Sequence, residues 1–588
     1  MKSLRHLHKY FLKYKFRLLL GVVFVAVNNY FGAEAKLYVG KGTDYVKDAL
    51  KAGNASASGV NKELLIFGLL ILGLVLLQAI FMFCMRQMII VMSRLIEYDL
   101  KNEVFGHYQQ LDQEFYKRNN TGDLMNRISE DVSRVRMYIG PAIMYIANTG
   151  GSFFFTIPYM LHINARLTLI ILSPVPVIVI LIWYVSNLIN RRSTEVQRQL
   201  SSISTYTQET FSGIRVMKAF SREEEINKRF GEQTQKYRSL YLRLVKTEGV
   251  FQPLVLLLAG LSNILAVYYG GMAYLHGEIT LGEIISLIMF INGLIWPIAS
   301  LGWVTSLVQR AAASQERINE FLRTKPSIRG GNIQSESLKG EIEFNNVSLT
   351  YSDSGVEALQ NVSFKVEAGK SMAVVGRTGS GKSSMAGLVT RLYDTSSGEV
   401  KIDGQPIKNY TLDTLRGNIG YVPQEVFLFS DSIANNIRFG DKTERAGDDE
   451  MIQAAKAAAI HDGIMEFPEG YETLVGERGI TLSGGQKQRI SMARAIIKSP
   501  AILIFDDCLS AVDTETEEEI LGNLESVRKN KTMLIISHRI SSVKQCDHIL
   551  VLENGRVAEE GNHESLLRQQ GIYAGMYKQQ LLEKAIIN

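Results

Sequence analysis

The feature that most constrains this chain is a series of six apolar runs, all in the first half of the sequence. A membrane-spanning helix needs roughly 20 mostly apolar residues. Because an even number of spans returns the chain to the side on which it starts, the pattern predicts an all-α membrane domain with both ends on one side. The predicted spans are Phe16–Tyr38, Leu64–Arg86, Tyr138–Leu161, Leu167–Leu188, Val250–Leu275 and Leu281–Leu301.

Charges around the first span predict its orientation. The segment before it is basic and carries no acid, and basic flanks stay in the cytoplasm. We therefore expect a cytoplasmic N-terminus, with a solvated basic tail as the alternative. Glu34 and Lys36 interrupt the same span, so we expect them to face an aqueous cavity or the outer interface.

Overall charge and cysteine content exclude two other classes of function. A net charge of +5 over 588 residues does not indicate nucleic-acid binding. The three cysteines, Cys84, Cys508 and Cys546, are scattered and form neither a metal-binding spacing nor a disulfide framework.

The links between spans differ in length and character. The links at 87–137 and 189–249 are long and charged, which predicts helices that continue beyond the bilayer. Asn119–Asp123 and Ser212–Ile214 are each interpreted as a turn leading into a short transverse helix. The segment Val39–Lys62, rich in Gly, Ala and Ser, is interpreted as an external loop.

The second half predicts a soluble α/β domain with a parallel core. Strand-like runs at Met372–Val375, Ile502–Phe505 and Met533–Ile536 alternate with helix-like segments. Asn554-Gly555 is a hairpin signal. The predicted organisation is a membrane domain at 1–323, a linker at 324–340 and this soluble domain at 341–588.

A phosphate-binding loop follows the first of these runs. The segment 376–383 fits the pattern G-x-x-x-x-G-K-[ST] between a predicted strand and a predicted helix. Its glycines let backbone N–H groups approach phosphate oxygens, and the helix N-terminus favours anions. Lys382 is expected to reach the β- and γ-phosphates, and Ser383 to bind Mg²⁺. The predicted nucleotide-binding residues of this loop are Gly376, Arg377, Thr378, Gly379, Ser380, Gly381, Lys382, Ser383 and Ser384.

Two adjacent acids end the apolar run Ala501–Phe505. Asp506 is expected to bind the magnesium ion, directly or through water, and Asp507 to lie near the attacking water. The alternative is that both acids cap the following helix.

The segment Leu482–Gln486, with the sequence LSGGQ, then opens a helix. Here the chain resembles the ATP-binding cassette (ABC) transporter family, whose signature this is. Nearly the whole chain shares in the resemblance, since six spans followed by one cassette are similar to half-transporter exporters of the multidrug and lipid-flippase type. The implied fold is an ABC-exporter membrane domain followed by a cytosolic α/β P-loop ATPase domain.

Further motifs match the family in order. Tyr351 resembles the aromatic residue that stacks on adenine, and Gln424 the glutamine that touches Mg²⁺ and relays nucleotide state. Glu477 and Arg478 resemble the exporter loop that contacts the intracellular helices. Ser510–Asp513 is similar to the loop that crosses to the partner cassette, and His538 to the histidine that contacts the γ-phosphate.

The resemblance also implies an assembly. In this family ATP lies between the phosphate loop of one cassette and the signature of the other, so Ser483, Gly484, Gly485 and Gln486 would complete a partner's site. It implies Mg²⁺–ATP as cofactor, a homodimer or heterodimer, and a drug, lipid or peptide as substrate. The expected location is the bacterial plasma membrane, with a cytoplasmic ATPase domain and no role for nucleic acid.

One position departs from the family pattern. The residue after the magnesium-binding aspartate is usually glutamate, and here it is Asp507. Its carboxylate is retracted by one methylene, and a displacement on the order of 1 Å at a reacting group can cost about 10²-fold in rate. Two hypotheses follow: a self-sufficient homodimeric exporter whose catalytic residues include Asp507, Gln424 and His538, or a weakly hydrolysing regulatory subunit of a heterodimer.

Overall fold

The computed structural model describes residues 2–52, 58–441, 446–476, 482–510 and 512–587. The chain divides into two compact units. The first comprises Met1–Gln109 with Gly122–Thr324, and the second Lys325–Asn588 with Gln110–Thr121. The second unit therefore takes in a short segment from the first long cytosolic link as well as the residues that follow the membrane helices.

The first twelve α-helices account for nearly all the described residues before Thr324. They are α1 His8–Lys13, α2 Lys15–Lys51, α3 Ser58–Tyr108, α4 Gln113–Arg118, α5 Thr121–Asn126, α6 Val132–Met137, α7 Ile143–Ile163, α8 Ala165–Leu172, α9 Pro174–Ser212, α10 Ile214–Ala219, α11 Glu223–Leu275 and α12 Leu281–Arg323. A 3₁₀ turn precedes α1, and π-helical turns at Arg127–Asp131 and Tyr138–Ala142 flank α6.

Five helical stretches in the described part of the chain are long and apolar enough to cross a membrane: α2, α3, α8 with α9, α11 and α12. They contain five of the six predicted spans. The third predicted span, Tyr138–Leu161, folds as a π-turn and the 21-residue α7. That length suffices for a crossing, but α7 is not among the five, because polar residues such as Asn148, Ser152 and Thr156 interrupt its apolar sequence.

The long cytosolic links are helical, as predicted. Helix α11 has 53 residues and α3 has 51, so α11 measures about 80 Å against a hydrocarbon core of about 30 Å. Ser212-Gly213 leads into the short helix α10, and Asn119-Asn120 leads into the short helix α5, which already includes Thr121–Asp123; a further short helix, α4, precedes this turn. The predicted external loop Val39–Lys62 is wrong in part, because α2 continues to Lys51 and α3 begins at Ser58.

Besides α4, the second unit contains ten strands and nine α-helices in its described residues. The strands are β1 Ile342–Thr350, β2 Glu357–Val366, β3 Ser371–Gly376, β4 Ser397–Ile402, β5 Gln405–Pro406, β6 Ile419–Val422, β7 Ile502–Asp506, β8 Thr532–Ile536, β9 His548–Glu553 and β10 Arg556–Gly561. The helices are α13 Lys382–Val389, α14 Leu412–Gly417, α15 Ile433–Arg438, α16 Asp448–Ala457, α17 His461–Met465, α18 Gly484–Ile497, α19 Thr514–Val527, α20 His563–Gln569 and α21 Ile572–Ile587.

Two sheets form the core of this unit. A four-stranded antiparallel sheet has the order β2-β1-β4-β5, and a six-stranded sheet has the order β10-β9-β3-β8-β7-β6. The strands from β9 to β6 are parallel, which confirms the predicted parallel core. The predicted Asn554-Gly555 hairpin joins β9 to β10, with both residues at positive φ.

The parallel arrangement sets the position of the site. Strands β3, β7 and β8 are buried along their whole length. Because β3, β6, β7 and β8 run in one direction, their carboxyl ends meet at the same sheet edge, where ligands of open α/β sheets bind. The predicted phosphate loop, Gln424, Asp506, Asp507 and His538 all lie at or just beyond these strand ends.

The predicted linker has no helix or strand but packs along the soluble unit. Ile333 forms an isolated bridge with Tyr410, and its N–H donates to the carbonyl of Asn409 at 2.8 Å. The N–H of Gly331 donates to the carbonyl of Tyr410 at 2.8 Å. The segment is thus part of the second unit rather than a free tether.

Candidate functional site

The loop between β3 and α13 has the backbone conformation of a phosphate cradle. Gly379 and Gly381 adopt φ values of 83° and 100°, which disfavour residues with a side chain. A Cβ atom at Gly381 would lie 2.3 Å from the carbonyl oxygen of Ala358. Glycine is therefore required at this position for both backbone angle and space, and the N–H groups that open α13 remain available to an anion.

Lys382 begins α13 and folds back over the loop. Its side chain is buried, and Nζ donates to the carbonyls of Gly376 at 2.8 Å and Arg377 at 2.9 Å. Burial lowers the pKa of Lys382, while the negative charges of Asp507 and Asp506 act in the opposite direction. The ammonium group is therefore held inside the loop by weak carbonyl acceptors that a phosphate oxygen can replace.

A hydroxyl and a carboxylate meet beside this lysine. The Ser383 hydroxyl donates to Oδ1 of Asp506 at 2.9 Å, and Asp506 is only 2% exposed. Burial raises the pKa of Asp506, which the bond from Ser383 partly offsets. Oxygen donors of this kind suit Mg²⁺, and a divalent cation would neutralise the buried carboxylate, so these residues fit the metal.

Asp507 is the next residue and has an unusual backbone angle, φ 48°, which aspartate tolerates better than most residues. Its N–H donates to the carbonyl of Ile536 at 2.8 Å and thus joins the ends of β7 and β8. Gln424, just beyond β6, donates from Nε2 to Oδ2 of Asp507 at 3.3 Å. Gln424, Asp506 and Asp507 therefore form one cluster across three adjacent strands.

His538 lies two residues beyond β8, at the same edge, and is half-buried. Its carbonyl accepts a hydrogen bond from Nε2 of Gln580 on α21 at 2.6 Å. Arg539 holds the adjacent loop, because its guanidinium donates to Glu517 and to the carbonyls of Ser510 and Val512. Arg539 was not predicted from the sequence.

Tyr351 belongs to an aromatic and cationic group at the end of β1. Its hydroxyl lies 2.9 Å from Oγ of Ser384, and its ring meets that of Tyr393 edge-on at 5.1 Å. Nζ of Lys117, on α4, lies 4.8 Å from the Tyr351 ring centroid and 4.9 Å from that of Tyr393. Lys117 and Tyr393 were also missed, since only the folded chain brings them to Tyr351.

The LSGGQ segment forms the start of α18. The N–H of Gln486 donates to the Ser483 hydroxyl at 3.2 Å, and the N–H of Ser483 donates to Oε1 of Gln486 at 2.9 Å. This capping box fixes the N-terminus of a 14-residue helix. The described side-chain hydrogen bonds of Ser483 and Gln486 are to each other, and Ser483 and Gly484 are exposed to solvent.

Two predicted elements lie partly or wholly outside the described residues. Glu477 and Arg478 fall in the undescribed segment 477–481. In the Ser510–Asp513 loop, Ala511 is undescribed, while the Ser510 hydroxyl donates to the carbonyl of Asp507 at 2.9 Å. Asp513 caps α19 by accepting from the N–H of Thr516 at 3.0 Å.

Known families match both units. Residues 18–298 match a model described as ABC transporter transmembrane region, and residues 359–510 match one described as ABC transporter.

Individual proteins are similar over most of the chain. The multidrug resistance-like ATP-binding protein MdlA of Escherichia coli (strain K12) is 36% identical over 83% of this chain and 82% of its own length. The ATP-dependent lipid A-core flippase of Pseudomonas fluorescens (strain Pf0-1) is 35% identical over 81% of this chain and 79% of its own length. The structure of a bacterial Atm1-family ABC exporter with ATP bound superposes with a TM-score of 0.79 and 26% identity, covering 96% of this chain and 98% of that chain.

Proposed function

Because this chain belongs to the ABC transporter family and carries its exporter fold with an ATPase domain, we propose that two copies form an exporter for a hydrophobic or amphipathic substrate. The proposal rests on one observation, which is that the candidate nucleotide-binding residues lie in two separate parts of the cassette. The phosphate loop meets Asp506, Asp507 and Gln424, whereas Ser483 and Gln486 bond to each other at the start of a different helix. One chain thus supplies two complementary half-sites.

In the proposed site, Mg²⁺–ATP is held mainly by the phosphate loop. Lys382 exchanges its carbonyl acceptors for the β- and γ-phosphates, and the adenine stacks on Tyr351. Ser383 and Asp506 would hold the Mg²⁺, directly or through water, and Gln424 would add its amide oxygen. The metal would neutralise phosphate charge and orient the terminal phosphate.

The remaining residues act on water and on the partner's nucleotide. Asp507 positions the attacking water, and His538 contacts the γ-phosphate. The exposed start of α18, with Ser483 and Gly484, approaches the same phosphate from the second copy, where helix N-terminal N–H groups favour an anion. ATP then stabilises the closed pair of cassettes relative to the open pair, and hydrolysis removes that preference.

Exposed apolar surface on both units supports an assembly. Near α10, Phe211 is 69% exposed and Phe220 is 74% exposed, while on the cassette Phe427 is 69% exposed and Phe439 is 64% exposed. Large exposed apolar groups that lie together mark interaction surfaces. Both surfaces are of the kind that a dimer of half-transporters would cover.

The expected location is the bacterial plasma membrane, with the N-terminus and the cassette in the cytoplasm. The relatives reported above are bacterial. The basic N-terminal segment pairs with acids near the end of α3, as Lys9 lies 2.5 Å from Glu103 and Lys13 lies 2.7 Å from Asp99. The N-terminus therefore lies on the same side as the α3 extension, and basic segments favour the cytoplasmic face.

A second candidate is a weakly hydrolysing subunit of a heterodimeric exporter. Asp507 favours it, since the shorter side chain sets the carboxylate back from the usual glutamate position. In that case the chain lends Ser483 and its helix to a partner's site.

The proposal is tested on the purified full-length chain in lipid vesicles. We expect ATP turnover and ATP-dependent substrate movement by the wild-type chain alone, and loss of both in Lys382→Ala through weakened ATP binding. The proposal is rejected if Lys382→Ala leaves ATP affinity and transport unchanged. Turnover that appears only with a second half-transporter favours the heterodimer.

A further inference from the structure

The membrane unit contains a cavity of about 550 Å³ between α2, α3, α7 and α12. Its lining is mixed rather than apolar. The polar and charged side chains that line it include Asn28, Asn29, Lys36, Gln78, Arg86 and Asn148. A cavity of this size accommodates a drug-sized molecule or a lipid headgroup.

Two cations line this cavity, and no acid does. Within the described part of the chain, neither Lys36 nor Arg86 forms an ion pair. Glu34, the acid closest to Lys36 in sequence, accepts a hydrogen bond from the Tyr159 hydroxyl on α7. Unpaired charges at membrane depth are costly, and they persist where a substrate or ion uses them.

A glycine on the neighbouring helix leaves room for the Lys36 ammonium group. A Cβ atom at Gly293 would lie 2.2 Å from Nζ of Lys36. The ring centroid of Phe290 lies 5.7 Å from the same nitrogen. Gly293 on α12 therefore provides the room in which this cation sits at the cavity wall.

A buried amide supplies a second, independent indication of a ligand. Asn28 is 6% exposed and lines the cavity, and its Oδ1 atom has no hydrogen-bond partner among the described residues. Such an unpaired acceptor normally costs about 1–3 kcal/mol. Its neighbour Asn29 is satisfied, because Nδ2 donates to Oδ1 of Asn148 at 3.1 Å. The free oxygen of Asn28 thus suits a ligand with a hydrogen-bond donor.

The rest of the wall suits an apolar tail. Met82, Met85, Met144, Met289 and Trp296 also line the cavity. Methionine side chains are flexible and polarizable, so they adapt to apolar groups of varied shape. The cavity therefore combines a cationic, hydrogen-bonding part with an adaptable apolar part.

We propose that this cavity binds an amphiphile with a negatively charged headgroup, which contacts Lys36 and donates a hydrogen bond to Asn28. The inference rests on the proposed export function and narrows its substrate class to anionic amphiphiles. Arg86, the more exposed of the two cations, attracts the same headgroup charge. The ligand is a membrane lipid or a soluble amphiphilic acid, and the experiment separates these sources.

The test uses two pairs of probes, each with one anionic member and one zwitterionic or uncharged member, with the full-length chain in phosphatidylcholine vesicles. The lipid pair is acyl-labelled fluorescent phosphatidylglycerol and phosphatidylcholine. The soluble pair is 1-anilinonaphthalene-8-sulfonate and uncharged N-phenyl-1-naphthylamine. Binding is titrated without nucleotide, and movement is then measured with ATP.

We expect Lys36→Gln to weaken binding of the anionic member of at least one pair roughly tenfold or more, as for a lost charge-assisted hydrogen bond. The uncharged or zwitterionic member should bind unchanged. Lys36→Arg should restore anion binding, and Asn28→Leu should weaken it. Lys41→Gln is the matched control, because Lys41 is an exposed cation on the same helix that does not line the cavity. The pair that responds identifies the source of the ligand.

The inference is overturned if Lys36→Gln affects both members of each pair equally, or if neither anionic probe binds in preference to its partner. Failure of the export proposal gives a different result, in which the wild-type chain binds probes but moves none of them with ATP. Since the binding titration needs no turnover, it decides on Lys36 in either case.

Discussion

In the proposed mechanism, the catalytic competence of this chain depends on Asp507. Its carboxylate is shorter than the usual glutamate, but it accepts a hydrogen bond from Gln424 and is buried beside Asp506. We expect Asp507→Asn to lower ATP turnover by about 10²-fold at unchanged ATP affinity, because the carboxylate that positions water is lost. Asp507→Glu should turn over ATP at least as fast as the wild-type chain.

Both variants are measured by steady-state ATP hydrolysis, with nucleotide binding as the control. Wild-type activity in Asp507→Asn would remove Asp507 from the mechanism. Negligible turnover by the wild-type chain, restored by Asp507→Glu, would instead identify a degenerate site and favour the heterodimer.

Ser483 has a structural and a proposed catalytic role, and a single substitution separates them. It caps α18, a role that aspartate fills equally well, whereas alanine costs about 1 kcal/mol. Ser483→Asp should therefore keep the melting temperature within about 2 °C of wild type. Its negative charge should nevertheless abolish ATP hydrolysis by repelling the partner's γ-phosphate.

Melting temperature and turnover are measured on the same preparations, with Ser483→Ala as the comparison. If Ser483→Asp hydrolyses ATP normally, the start of α18 does not approach phosphate. If it unfolds, the Ser483→Ala variant, which adds no charge and costs only about 1 kcal/mol of helix capping, is assayed for turnover in its place.

Sequence patterns predicted the residues at the carboxyl ends of the strands because those motifs are contiguous in the chain. The phosphate loop and Asp506 each follow a strand-like run, and parallel strands bring such ends together, whereas Gln424 was identified through its resemblance to the family motif. Lys117, Tyr393 and Arg539 have no local pattern, and their contacts arise from tertiary packing. The unpaired Oδ1 of Asn28 could not be predicted either, since it depends on which helices surround it.

At the scale of single elements, α4 is a short helix from the membrane half that packs within the second unit. Lys117 lies over the rings of Tyr351 and Tyr393, and the hydrogen bond to Tyr393 is the main cause of its raised pKa. The cation is therefore charged at neutral pH. Lys117 thus connects helix α4 with the proposed adenine platform.

We expect Lys117→Met to reduce the stimulation of ATP hydrolysis by transported substrate, while basal hydrolysis stays within about threefold of wild type. Each cation–π contact contributes about 0.5–1 kcal/mol, enough to weaken the link between α4 and Tyr351 without unfolding the cassette. Stimulated and basal turnover are compared in vesicles. Lys117→Arg should retain stimulation, and full stimulation in Lys117→Met would show that this contact carries no coupling.

Hydropathy predicted helical structure at all six apolar runs, but the third run is less continuously apolar than the others, for a physical reason. Long apolar runs in α3 and α11 make both helices long and apolar enough to be predicted as membrane spans. Helix α7 carries Asn148, Ser152 and Thr156, which line the cavity between the membrane helices. A helix that contributes polar groups to a cavity loses the apolar continuity on which span prediction depends.

At the scale of the whole molecule, the proposed division of the nucleotide site into two half-sites predicts a second chain. The phosphate loop carries Lys382, and the start of α18 carries Ser483 and Gly484, which are exposed to solvent. A two-fold symmetric pair brings each half-site to its complement twice, as isologous dimers do. The assembly can therefore be tested by distributing defects between chains.

A mixture of Lys382→Ala and Ser483→Asp chains should recover ATP turnover that neither variant has alone. In a mixed dimer one site combines both defects, while the other combines an intact Lys382 with an intact Ser483. If one site suffices, mixed dimers purified through both tags should reach about half of wild-type turnover, because one of their two sites is intact. Differently tagged chains are co-expressed, purified through both tags and assayed for hydrolysis, with each variant purified alone as the control.

Recovery requires that ATP be held between two copies of this chain, because no rearrangement within a single chain can unite the two intact residues. Intact mixed dimers without turnover would contradict the shared-site arrangement, or show that both sites must work together. A dimer with both defects on one chain distinguishes these outcomes. It too retains only one intact phosphate loop and one intact signature, but both lie on the same chain.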